Sequence, residues 1–144
     1  MSINREKEAL AIRIREYIQS NRSGIDAPFI QGFPRNCCES ASMILGVIFD
    51  RCYPDKQIQL IESKAIFEQG MHFWIEVDEL VYDITCDQFS RFSGPIIGGS
   101  RSSLSHYFSV FAETSVQKKL IGYDWRDRII FAAEHVFDAI RANA

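Results

Sequence analysis

Two neighbouring thiols, an imidazole and a carboxylate form a set in this sequence that could do acyl-group chemistry. Cys37 and Cys38 open the clearest amphipathic stretch of the chain, whose residues Ala41, Ile44, Leu45, Ile48 and Phe49 recur at the spacing of one helical face. That pattern predicts a helix running to about Arg51, with Pro34 and Asn36 marking its start and Pro54 preventing a continuation. Asn36, with Glu39 three residues on, has the form of a capping box. A cysteine in the first turn would meet unpaired backbone N–H groups and the positive end of the helix dipole. Both favour a thiolate, the nucleophilic form of sulfur. At about 100° per residue the two cysteines fall on opposite margins of the apolar stripe, so periodicity does not choose between them. Taken alone, each is an ordinary small buried hydrophobe.

The imidazole and carboxylate gain meaning together. Met71 to Val77 and Leu80 to Thr85 are rich in aromatic and β-branched residues, and only Asp78 and Glu79 separate them. A hairpin with a two-residue loop pairs Val77 with Leu80, and each step outward brings Trp74 opposite Asp83 and His72 opposite Thr85. His72, Trp74, Asp83 and Thr85 then share one face, with His72 and Asp83 as diagonal neighbours whose Cα atoms lie roughly 7–8 Å apart. The other face carries Phe73, Ile75, Val77, Leu80, Tyr82 and Ile84, an apolar set that reads as core. A slip of one residue would part His72 from Asp83. His106, in an aromatic run, has no clear acid partner, and His135 lies on the terminal helix facing Arg128 or solvent; both read as surface or satisfied core residues.

Other elements must position these groups. Leu10, Ile14, Tyr17 and Ile18 predict a first helix over Ile3 to Asn21. Ser20 to Arg35, with its prolines and glycines, reads as a loop holding a short extended piece at Phe29 to Gln31. Gln57 to Ile61 alternates as a half-buried strand does, and Ala65 to Gly70 suits a turn or short helix. Asp87 to Ser105 reads as a long surface loop, and Leu104 to Ala112 fits either a strand or a helix. A terminal helix from about Trp125 to Arg141 carries Ile129, Ile130, Ala133, Val136, Phe137 and Ile140, with Asp124 as its N-cap. Helices, then strands, then a helix predict an α+β fold, with helices packed against an antiparallel sheet.

Composition bounds the rest. A chain of 144 residues, 47% of them hydrophobic, builds one domain, 1–144, around a real core. A net charge of -3 without a basic stripe argues against a nucleic-acid partner. The polar start, Met1 to Glu8, and the absence of a run of about 18 apolar residues predict a cytoplasmic protein without a membrane span. Cys37, Cys38, Cys52 and Cys86 are then free thiols, and without C-x-x-C or H-x-x-x-H spacing a metal site is not expected.

Cysteine at a helix start, then a histidine strand, then an aspartate strand resembles the order found in transglutaminase-like thiol enzymes. Cys38-Glu39-Ser40-Ala41-Ser42 is similar to that family's nucleophile turn. His72-Phe73-Trp74-Ile75-Glu76-Val77 is similar to its histidine strand, and Leu80-Val81-Tyr82-Asp83-Ile84-Thr85 to its aspartate strand. The likeness covers about Phe33 to Phe89. It implies a transglutaminase-like or papain-like core with Cys38 as nucleophile, His72 as general base and later acid, and Asp83 as the group that orients the imidazole. Cys37 stays an alternative nucleophile. Gln31 is a candidate oxyanion donor by analogy with papain-like enzymes, and otherwise an ordinary loop glutamine. The implied reaction passes through a thioester on a peptide or protein amide, ends in hydrolysis or transfer to an amine, and needs no cofactor. Two other readings stand beside it: a non-catalytic protein-binding domain on the same scaffold, and a redox-sensing cysteine pair.

Overall fold

The structure, a computed structural model, describes residues 3–143. Its centre is an antiparallel five-stranded sheet: β1 (Gln59–Ala65), β2 (Met71–Val77), β3 (Leu80–Asp83), β4 (Ile96–Gly99) and β5 (Phe108–Ser115), in the order β4-β3-β2-β1-β5. The longer helices are α1 (Ile3–Asn21), α2 (Cys38–Cys52) and α5 (Arg126–Ala142); α3 (Ser102–Ser105) and α4 (Val116–Leu120) are short. This is the α+β arrangement that the element order predicts. No helix among the described residues is long and apolar enough to cross a membrane.

The hairpin adopts the register argued from its side chains, with Ile75 opposite Tyr82, Glu76 opposite Val81 and Val77 opposite Leu80. Its turn residues Asp78 and Glu79 are both left-handed, at φ 52° and 65°, as a type I′ turn requires. Aspartate tolerates that conformation, whereas for Glu79 it costs about 1–2 kcal/mol. A one-residue slip would cost more. It would drive Phe73, Ile75 and Tyr82, now almost wholly buried, out of the core at roughly 1.5–3 kcal/mol each. Asp78 also gains two cations, Lys7 at 3.3 Å and Lys56 at 3.2 Å.

On one face of the sheet, Phe73, Ile75, Val77, Tyr82 and Ile84 pack with Ala41, Ile44, Leu45 and Ile48 of α2 and with the buried stripes of α1 and α5. The opposite face is not the polar surface that the alternation suggests. Ile61, Trp74, Val81, Cys86, Leu104 and Phe108 form a second apolar cluster there, with Phe89, Phe92 and Tyr107 packed against it. The segment read as a surface loop folds back over this face, contributing a 3₁₀ turn (Cys86–Gln88), β4 and α3. It carries enough phenylalanine and leucine to close a core.

Four local expectations are corrected. Phe29–Gln31 is not extended, because the segment closes into a 3₁₀ turn over Ile30–Gly32. Strand β1 runs on to Ala65, since its edges pair with both β2 and β5. The N-caps are Cys37 for α2 and Trp125 for α5, one residue later than Asn36 and Asp124, and neither supplies a side-chain cap. Asn36 is left-handed at φ 56°, which turns it out of a capping box, and Glu39 is engaged instead by Tyr123.

Candidate active site

Helix α2 is aligned along β2 by a row of small residues spaced four apart. The Cys38 thiol faces the carbonyl of Met71 at 3.8 Å, and the Ser42 hydroxyl donates to the carbonyl of Phe73 at 3.0 Å. Gly46 follows, and a Cβ placed there would meet the Ile75 side chain at 3.0 Å. This close approach brings the start of α2 against the start of β2. The first bond within the helix runs from the Ala41 N–H to the Cys37 carbonyl at 2.8 Å, so the N–H groups of Cys38, Glu39 and Ser40 have no partner inside the helix.

His72 is the second residue of β2, and Asp83 the last of β3. They meet as diagonal neighbours, with His72 Nε2 and Asp83 Oδ2 2.6 Å apart and both side chains wholly buried. The second Asp83 oxygen accepts the Thr85 N–H at 3.1 Å, which locks the carboxylate plane. The imidazole lies among rings, with centroids of Phe108 at 4.7 Å, Phe89 at 5.0 Å and Trp74 at 5.8 Å. Burial in this apolar box disfavours the imidazolium, but the charge and hydrogen bond of Asp83 outweigh it, with a further contribution from Cys38, and raise the His72 pKa to about 9. The remaining nitrogen, Nδ1, is buried and has no partner of good hydrogen-bond geometry. With Nε2 given to Asp83, this is the nitrogen left for the Cys38 sulfur, whose side chain acts on the imidazole.

The two adjacent thiols differ. Burial pushes the Cys37 thiol up to about 12, with its neighbour Cys38 adding to the effect, so Cys37 stays protonated at neutral pH. Cys38 is the one whose side chain acts on His72. Gln31 is exposed, its amide donates to the carbonyl of Ile25 at 3.4 Å, and it takes no part here. His106 is exposed, and His135 pairs with the Tyr17 hydroxyl at 3.0 Å.

A cleft of about 700 Å³ opens over Cys38. The loop at Pro28 and Phe29, the opening of α2, the β1–β2 turn at Glu68–Gly70, Gln88 and Phe89, and Tyr123 and Trp125 form its walls. Several of these groups give no sign of their role in the sequence. The Tyr123 hydroxyl donates to Glu39 at 2.7 Å across 84 positions of chain. Gln88 accepts the Asn36 N–H at 3.3 Å and so fixes the approach to α2. Thr85 was signalled only by its place in the aspartate strand, and there the working group is its backbone N–H. Compared with protein-family models, with curated proteins and with solved structures, the chain matches none.

Proposed function

We propose that this protein is a cysteine-dependent acyl-transfer enzyme of the transglutaminase-like kind, acting on a peptide or protein amide through a thioester. The observation that carries the reading is the buried His72–Asp83 pair at 2.6 Å, with the other imidazole nitrogen left to Cys38 at the floor of an open cleft.

The chemistry follows from the geometry. Asp83 holds one imidazole nitrogen, and His72, kept an imidazolium at neutral pH, carries the thiol proton of Cys38 at the other, so the pair enters the reaction as imidazolium and thiolate. The sulfur attacks the amide carbon, and the oxygen that gains charge meets the unpaired N–H groups at the start of α2. The imidazolium returns its proton to the departing amine, leaving a thioester on Cys38. Water or a second amine then gives up a proton to His72 and attacks the thioester, which frees the thiol again. The dry aromatic box around His72 strengthens its bond to Asp83 and keeps water from competing for it. The four cysteines are free thiols, which suits a reducing compartment and a cytoplasmic setting.

The test is site-resolved alkylation of the folded protein by iodoacetamide at neutral pH, with mass spectrometric assignment. Cys38 is expected to react well ahead of Cys37, Cys52 and Cys86. His72→Ala should slow Cys38 by about 10²–10⁴-fold, and Asp83→Asn, which keeps the shape but not the charge, should slow it measurably. Equal reactivity of Cys38 in wild type and His72→Ala would sink the triad. It would leave the protein a binding domain with these residues as structural pieces.

A further inference from the structure

We propose that Phe29, Met71 and Trp125 form a subsite of this cleft that receives a bulky apolar side chain of the substrate, beside the carbonyl presented to Cys38. The inference rests on the acyl-transfer reading and adds a substrate class to it.

Nine large apolar side chains are exposed among the described residues. Single exposed hydrophobes need no explanation, but a cluster does. Phe29, Met71 and Trp125, exposed by 71%, 47% and 42%, all line the Cys38 cleft. Two more of the nine, Ile66 and Phe67, sit in the turn that continues into its Glu68–Gly70 wall.

Each of the three is displayed rather than left over. Phe29 stands between buried neighbours, Ala27, Pro28 and Ile30, which anchor its loop on both sides. Its backbone is left-handed at φ 63° and ψ 8°, a conformation that glycine or asparagine would adopt at far lower cost. A turn that served only the fold has no need of a phenylalanine there. Trp125 precedes the first turn of α5, with the Arg128 guanidinium 5.0 Å from its ring centroid. The same Arg128 pairs with Asp26 at 2.8 Å, so one side chain ties the Trp125 wall to the loop that carries Phe29. Met71 supplies the backbone carbonyl that the Cys38 thiol faces, and its flexible thioether belongs to the lining of the same cleft. A side chain seated among these three therefore belongs to the residue being acylated. The charged lining groups are Arg35, Glu39 and Glu68; Glu39 is taken up by Tyr123, and the other two are of opposite sign, so the walls carry no excess of one charge that would select a charged side chain.

The probes are N-acetyl amino-acid p-nitrophenyl esters of glycine, leucine, phenylalanine and aspartate, read as second-order rates of Cys38 acylation. The phenylalanine and leucine esters are expected to react about 10–100-fold faster than the glycine ester, the advantage of burying one large apolar side chain. Phe29→Gly suits the left-handed backbone, and Trp125→Ala changes an exposed residue, so both should fold. Each should bring the phenylalanine-to-glycine ratio down several-fold, and the pair together to within about threefold of one. Phe131→Ala, at an exposed residue outside the cleft, should leave the ratio as in wild type. A native ratio near one, a preference for the aspartate ester, or a ratio untouched by both cleft variants would overturn the subsite while the thiol chemistry stood. If iodoacetamide finds no favoured Cys38 and no ester acylates it, the acyl-transfer reading itself has failed.

Discussion

His72 is pulled two ways, and the outcome sets how the molecule should answer to pH. Its aromatic box disfavours charge, while Asp83 at 2.6 Å demands it, and the carboxylate prevails, raising the imidazole to about 9. A histidine raised above its ordinary 6.5 binds protons more tightly folded than unfolded. Its contribution to stability is complete below about pH 6.5 and is lost as the pH rises through about 9. The melting temperature should therefore fall across that window, with the buried cysteines adding to the fall only near its upper end, where the thiols of the unfolded chain ionise, and His72→Gln should flatten the decline below about pH 8. A wild-type melting curve insensitive to pH between 6.5 and 9 would show that the pair does not hold the proton. The same scale explains why Cys37 and Cys38 differ although they are adjacent. One turns into the core and is held protonated by burial, whereas the other faces the strand end where His72 lies.

Among the elements, the contact of α2 with β2 decides most. Cys38, Ser42 and Gly46 lie on one side of the helix, and their smallness lets the backbone approach the strand closely. An alanine at Gly46 would gain up to about 1 kcal/mol of helix propensity. Its Cβ would, however, stand 2.7 Å from a Val116 methyl and 3.0 Å from the Ile75 terminus, and both neighbours are buried at 1% and 0% exposure. Overpacking of that kind costs about 1–3 kcal/mol, so the clash should win and Gly46→Ala should lose stability in urea denaturation. Because relief comes by moving α2 off the sheet, the variant should also slow iodoacetamide alkylation of Cys38. Unchanged stability would mean that Val116, on the short helix α4, yields more easily than its burial implies.

For the molecule as a whole, α1 acts as a strap reaching across the sheet to the turn behind the site. Arg15 donates to both carboxylate oxygens of Asp87, at 2.9 and 2.6 Å, and to the carbonyl of Ile84 at 2.6 Å, with both charged side chains largely shielded from solvent. These bonds pin the segment just after Asp83, the same turn that delivers Gln88 and Phe89 to the cleft. A lysine keeps the charge but cannot make the planar two-point contact. Arg15→Lys should cost about 1–2 kcal/mol in chemical denaturation, and a neutral result would show that the strap is dispensable.

Much of this was legible in the chain because local rules and tertiary demands agreed. Helix α1 spans the predicted residues, and α2 and the hairpin follow from hydrophobic period alone. The His72–Asp83 adjacency follows too, since period-two alternation with a two-residue loop leaves only one register that buries Phe73, Ile75 and Tyr82. The misses lie where distant segments decide. Capping failed for Asn36 because the chain's approach to α2 is set by Gln88, and the second face of the sheet was misread because Phe89, Phe92 and Leu104 return to cover it. By itself, then, the sequence determined the elements, the strand register and the diagonal pairing of imidazole and carboxylate, all consequences of side-chain periodicity within a short span. Tertiary structure alone decided which cysteine meets the histidine, how dry the pair is, and which aromatic rings surround the cleft. Those depend on contacts between residues far apart in the chain, which no local pattern encodes.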